Sequence, residues 1–198
     1  MFMRSVPLFL AVLGLHAFTA EAVPTSRPSS IRGSSVTYSG RVEITFINGT
    51  HIGFLNNTDN GFPNVDVAGT PNTDLEVKLS VGGTGPFDLL ATNPAWVGSA
   101  FIGGGTDGTL SADSLVIVPL SNTTLTAPGS PPTAEGASAI WGFDTQTAAL
   151  TPLWTNPDGS HIAPIIGWHK ESNLLFFTGD ESNIDGKNNI AVDFSLTE

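Results

Sequence analysis

In RVEITF, residues 41–46, Val42, Ile44 and Phe46 alternate with Arg41, Glu43 and Thr45. The same period of two runs through LEVKLS, where Leu75, Val77 and Leu79 alternate with Glu76, Lys78 and Ser80, and through IAVDFSL near the C-terminus. Successive side chains on a strand point to opposite faces, so this alternation sets one face against a core and the other in water. Three further stretches, SLVIVPL, HIAPIIGW and NLLFFTG, are apolar in both phases and read as strands covered on both faces. Between them lie NNTDNGFPN, VGGTGP, IGGGTDG, TAPGSPPTAEG and NPDGS, whose Gly, Pro, Asn and Asp break strands and build turns. No window offers the i, i+3, i+4, i+7 apolar spacing of a stable helix. The pattern predicts one all-β domain over residues 36–198, an antiparallel β-sandwich or jelly roll, with a β-trefoil as the alternative. The three-fold repeat of a trefoil is echoed only loosely, in IGFLNNTDNG, IWGFDTQTAA and LFFTGDESNI.

Residues 1–22 are read separately. A charge at Arg4, an apolar run from Val6 to Leu15 and small residues at Ala20 and Ala22 are the layout of a secretory signal peptide cut after Ala22. The run is too short to cross a hydrocarbon core of about 30 Å, and no later stretch supplies a membrane span. Residues 23–35, VPTSRPSSIRGSS, hold little to bury and read as a disordered lead-in or pro-segment. The expected location is secreted, extracellular or cell-wall associated.

Charge narrows the partners. Removing residues 1–22 takes one basic and one acidic residue with it, so the formal charge stays at −11. Such a surface repels phosphate backbones and anionic lipid, which argues against nucleic acid as a partner. Cysteine is absent, which removes thiol catalysis, thiolate metal sites and disulfide scaffolds. A chain of this length can bury an adequate core without bridges. Three sequons begin at Asn48, Asn56 and Asn122, each an acceptor for an N-glycan in a eukaryotic secretory pathway.

Two tryptophans flank a polar turn in IWGFDTQTAALTPLWT. Asp144 can start that turn by accepting backbone N–H bonds, and symmetric pairing sets Trp141 opposite Trp154 and Phe143 opposite Pro152. Either the aromatic face packs inward, as cross-strand aromatic pairs commonly do, or the indoles form a stacking platform for sugar rings. In the second case Asn156, Asp158 and His161 of NPDGSH, with Trp168 beyond, supply the rest of a glycan site.

Other motifs carry less. Gly103, Gly105 and Gly108 fit G-x-G-x-x-G, but a dinucleotide site needs a helix next, and TLSADSLVIVPL reads as a strand. Asp180, Glu181, Asn183 and Asp185 place oxygen ligands ahead of Gly186 and form a candidate calcium site, although Val192 stands where an EF-hand has its closing Glu. No other cofactor is expected. His51, His161 and His169 show no zinc or iron spacing, and no G-x-S-x-G elbow occurs. For a glycosidase, which needs two carboxyl groups across a cleft, Asp144, Asp158 and Glu171 are the first candidates.

SAIWGFDTQTAALTPLWTNPDGS and LLFFTGD, with IGFLNNTDNGF upstream, resemble small secreted β-rich proteins of mushroom-forming fungi. The resemblance covers about half of the chain after residue 22. It implies export and a β fold, and carries no activity and no catalytic residue. The combined expectation is a secreted, glycosylated, non-catalytic protein that binds an extracellular glycan or cell-wall polymer around residues 141–169. The competing expectations are a glycan-directed hydrolase and a structural wall or matrix protein without a discrete site.

Overall fold

The computed structural model describes residues 35–67, 73–83, 85–106 and 108–198. The stretch expected to be a signal peptide and all of the expected lead-in except Ser35 lie outside these residues. The strands, in chain order, are β1 (Val36–Phe46), β2 (His51–Asn56), β3 (Asn64–Asp66), β4 (Glu76–Val81), β5 (Phe87–Ala91) and β6 (Phe101–Gly104). There follow β7 (Ile117–Thr123), β8 (Ala139–Phe143), β9 (Ala149–Pro152), β10 (Trp154–Thr155) and β11 (His161–Ile162). The last are β12 (Ile165–His169), β13 (Leu174–Thr178) and β14 (Asn189–Thr197), with one 3₁₀ turn at Glu181–Asn183. Among the described residues there is no α-helix, and none long and apolar enough to cross a membrane.

The all-β antiparallel class is observed. Twelve strands form one sheet, which curls so that its parts face each other across a single core in a sandwich-like manner; β10 and β11 form a separate ribbon. The alternation in β1 and β4 does what its period requires, burying Val42, Ile44, Val77 and Leu79.

The connectivity is more specific. Strands β1, β4, β5, β8, β9 and β14 pair in turn, and β14 returns to β1, closing a ring. Hairpins are inserted between successive ring strands: β2–β3 before β4, β6–β7 before β8, and β12–β13 before β14. In each insertion the first hairpin strand ends against the start of the next ring strand. The pairs are Asn56 with Asp74, Gly104 with Ala137 and His169 with Asn189. The hairpins also meet one another, since β13 pairs with both β3 and β7 and the Gly61 carbonyl accepts from Asn122 N–H. Ring strand, hairpin, ring strand, three times over, is the connectivity of the trefoil alternative. Every strand of the large sheet therefore has at least two partners, and β1, β5, β13 and β14 have three.

The internal repeat lies elsewhere than in the loose echoes, which fall on the inequivalent strands β2, β8 and β13. It is an Ile-Gly pair in the first strand of each hairpin: Ile52-Gly53, Ile102-Gly103 and Ile166-Gly167. All three isoleucines are buried in the core. A Cβ at Gly53 would stand 2.1 Å from the Asp66 carbonyl oxygen, one at Gly103 2.0 Å from that of Ala137, and one at Gly167 2.2 Å from the Phe176 ring. The repeat marks where each hairpin is crowded by a neighbouring chain or ring.

The β8–β9 register also differs from the symmetric pairing. Trp141 faces Pro152 and Phe143 faces Leu150, while Trp154 lies on β10 opposite Ile162. Asp144 N–H closes the turn on the Ala149 carbonyl, its carboxylate accepts from Gln146 and Thr147, and Ala148 takes a left-handed φ of 57°. That cap shortens the loop and slides the second strand by two residues.

Replacing Gly53 or Gly103 with alanine is expected to cost about 3 kcal/mol, the upper range for overpacking, because the wall each Cβ meets is backbone. Gly85→Ala, whose Cβ would rest 3.7 Å from Pro128, should stay within about 0.5 kcal/mol. Urea denaturation of the three variants measures the contrast.

Candidate functional site

The tryptophans, which the sequence allows on either face, all lie inside. Trp141 is 0% and Trp154 1% exposed, and Trp96 and Trp168 are also buried. Each indole N–H is taken by the protein. Trp141 donates to the Ile102 carbonyl at 2.8 Å, Trp154 to Gly108 at 3.1 Å, Trp168 to Asn173 Oδ1 at 2.9 Å and Trp96 to Ser99 at 2.7 Å. Trp141 and Trp154 therefore make no exposed stacking platform, and Trp168 adds no face to one. The glycine run of the G-x-G-x-x-G match makes room for one of them. A Cβ on Gly104 would lie 2.3 Å from the Trp154 ring, and the run leads through a loop to strand β7 with no helix.

The polar members of the expected glycan set are engaged locally. Asn156 is buried, accepting from Leu110 N–H at 2.9 Å and donating to the Leu110 carbonyl and to Ser160 Oγ. Asp158 accepts from the Ser160 hydroxyl and backbone N–H, which hold its carboxyl below the usual value. His161 is exposed, with Nδ1 3.0 Å from Thr155 Oγ1.

The carboxylates of the hydrolase expectation behave as turn caps. The Gln146 backbone N–H is the main cause of a lowered pKa at Asp144, and the Ser160 hydroxyl, followed by the Ser160 N–H, lowers that of Asp158. A glycosidase general acid needs the opposite shift. Glu171 is exposed on the β12–β13 turn.

Nor do the four calcium candidates converge. Asp180 caps the 3₁₀ turn through Ser182 N–H at 2.8 Å. Asp185 Oδ1 accepts from the backbone of Lys187, Asn188 and Asn189, and the Asn189 bond is the largest cause of its lowered pKa. Asn183 Nδ2 donates to Thr178 Oγ1 at 2.7 Å and to the Ser114 carbonyl, while Glu181 is exposed. Among the described residues no three His, Asp or Glu side chains gather into a group able to hold a metal ion.

The sequons occupy three different settings. Asn48 is exposed on the β1–β2 turn. Asn56 lies in β2 with a buried Oδ1 that has no partner. Asn122 lies in β7, where its Oδ1 accepts from Ser121 Oγ and is 2.6 Å from where a Cβ on Gly61 would stand.

The arrangement best suited to a ligand shares only Asn183 with the expected site residues. On β13, Leu175 and Phe177 join the core, so Leu174 and Phe176 fall on the other face, and the missing side chain of Gly167 lets the Phe176 ring lie over β12, where it is buried beneath the surface. With Leu115 and Ile117 they line a groove of about 410 Å³. Its polar lining is His169, Ser172, Asn183 and Asn189. Ser172 N–H donates to His169 Nδ1 at 3.2 Å, which puts the proton of the neutral ring on Nε2. Asn183 Oδ1 and the Asn189 side-chain amide have no hydrogen-bond partner among the described residues. The sequence hint is that NLLFFTG is apolar in both phases, so its outer face also meets something.

No protein-family model, curated protein or solved structure matches the chain.

With every indole buried, tryptophan emission is expected to be blue-shifted and resistant to iodide quenching. The capping aspartates carry a sign. The folded pKa values of Asp144, Asp158 and Asp185 lie below 3.8, so the contribution of these three to stability is complete above pH 3.8 and lost as pH falls through the folded values. Asp88 runs the other way: burial raises its pKa against the opposing hydrogen bond from Ser138, so its ionised form weakens the fold. Asp88→Asn, which keeps an acceptor for Ser138, should raise Tm at neutral pH and lose that advantage below pH 3.8. Thermal melts across pH measure both effects.

Proposed function

We propose that this is a secreted, non-catalytic protein that binds a neutral saccharide of an extracellular glycan or cell-wall polymer in the groove between β7, β12 and β13. The observation that carries the reading is the groove's chemistry. An apolar lining of Leu115, Ile117 and Leu174 surrounds the Asn189 side-chain amide and Asn183 Oδ1, which have no hydrogen-bond partner among the described residues, while Asn183 Nδ2 is held by Thr178 and Ser114. A sugar ring presents the complement, C–H faces for the floor and hydroxyls for the rim. Ligand sites generally combine apolar walls with a few placed polar groups. Although the chain carries a formal charge of −11, no Asp, Glu, Lys or Arg lines the groove, which favours an uncharged ligand. The N-terminal leader layout and the sequons support export, and the acidic surface disfavours nucleic acid.

A second reading, a structural extracellular protein without a discrete site, is favoured by the burial of every indole.

Titration of the mature protein with soluble β-glucan, chitin and mannan fragments, followed by amide NMR, separates the two. Binding to one class with shifts at His169, Asn183 and Asn189 is the expected result. Asn189→Ala should then weaken binding about five- to tenfold, the effect of one hydrogen bond of about 1 kcal/mol. Its Tm should hold, since that side chain bonds to nothing else. Indifference to all three sugars would leave the structural reading standing.

A further inference from the structure

The β1–β2 turn carries an isoleucine in an unexpected setting: Ile47 is 70% exposed. Around it three shallow hollows run together, each lined by Ile47 and Ala191, with Ile165, Ile184 and Ile190 among their walls. Ile47 is exposed and Ile165, Ile184, Ile190 and Ala191 beside it are half-buried, and an apolar patch open to water on a charged domain normally marks something that covers it. The polar residue on the rim of one hollow is Asn48, the first residue of the Asn48-Gly49-Thr50 sequon.

The three sequons are not equivalent acceptors. Asn48 stands exposed at the tip of the turn, where Gly49 takes a φ of 82° and Thr50 N–H donates to Asn48 Oδ1 at 3.0 Å. Its Nδ2 has no partner among the described residues. Asn56 has its side-chain oxygen buried within β2, and Asn122 is pressed against Gly61 within β7. A glycan on either has to leave from between packed strands.

We propose that Asn48 is an N-glycosylation site of this protein and that the first sugars of its glycan lie over Ile47 and the hollow beside it. Nδ2 attacks C1 of a lipid diphosphate-linked oligosaccharide. The N–C1 bond forms as the C1–O bond breaks, Nδ2 loses one proton, and the lipid diphosphate leaves. The C–H face and acetamido methyl of an N-acetylglucosamine then meet the isoleucine side chains, while its hydroxyls face water. This inference rests on the export reading under the proposed function.

The test expresses the chain in a eukaryotic secretory host in two versions, one with its own residues 1–22 and one with a host leader in their place. Failure of the first alone to reach the medium would count against the export reading and leave the second to test the site. Peptide mass spectrometry of the secreted protein is expected to find glycan on Asn48. Thr50→Ala removes the sequon while keeping Asn48 and the backbone N–H. It should lower Tm by about 2–4 °C and give concentration-dependent self-association by light scattering. Adding Ile47→Ser to Thr50→Ala should restore the monomer. Unmodified Asn48 in the secreted protein overturns the proposal. A glycan whose removal changes neither Tm nor oligomeric state overturns its placement over Ile47.

Discussion

The indole of Trp141 joins the ring to the hairpins. It leaves ring strand β8, stacks on Phe194 of β14 with centroids 6.0 Å apart, and meets Phe177 of β13 edge-on at 5.8 Å. Its N–H bonds to the Ile102 carbonyl on β6. One side chain thus links two ring strands, β8 and β14, to two of the three hairpins. Aromatic residues bury large areas and add pair geometry to that burial, so an indole used in this way holds layers together. The consequence for recognition is direct: with every indole inside, the groove over β12 and β13 offers a ligand mainly aliphatic and amide groups, its Phe176 ring being buried.

The turns are held by a second device. Asp144, Asp158, Asp180 and Asp185 each accept backbone N–H bonds within their own loops. Part of the chain's acidity is therefore architectural, with carboxylates fixing turns that would otherwise sample many conformations. Arg41 adds a link of a different kind, pairing with Asp74 at 2.7 Å while its guanidinium lies 4.3 Å from the centre of the Phe54 ring. In a chain without cysteine these local bonds and the closed ring supply the restraint that a cross-link would give.

Period-two patterning made β1, β4 and β14 readable from the sequence, because it is a local property of a half-buried strand. Connectivity was not readable, since the pairing of β1 with β14 has no local signature. Trp141 and Trp154 were ambiguous because one capped turn, with Ala148 in a left-handed conformation, moves the register by two residues and changes which groups face each other. The glycines at 103–105 look like a flexible loop until Trp154, distant in sequence, is seen to need the space. Asp185 resembled a metal ligand because carboxylates that cap turns and carboxylates that bind calcium share the same Asx-rich, glycine-ended context. The groove drew Ile117, His169, Phe176 and Asn189 from separate strands, a convergence that only the folded chain displays.

The pairing of the first strand with the last also governs how the molecule can be made. Arg41 lies opposite Thr197 and Phe46 opposite Val192, so the ring closes only when nearly the whole chain is present. Such distant pairing carries a high loop-closure cost and slows folding. During synthesis β1 can pair with β2 and β4 but must wait for β14, and until that strand emerges the hydrophobic interior has one open side. Incompletely synthesised chains are therefore the vulnerable species. Truncation by even the last ten residues would strand the protein in that state, whereas linking the neighbouring strand ends and opening an exposed turn elsewhere would let the ring form in a different temporal order.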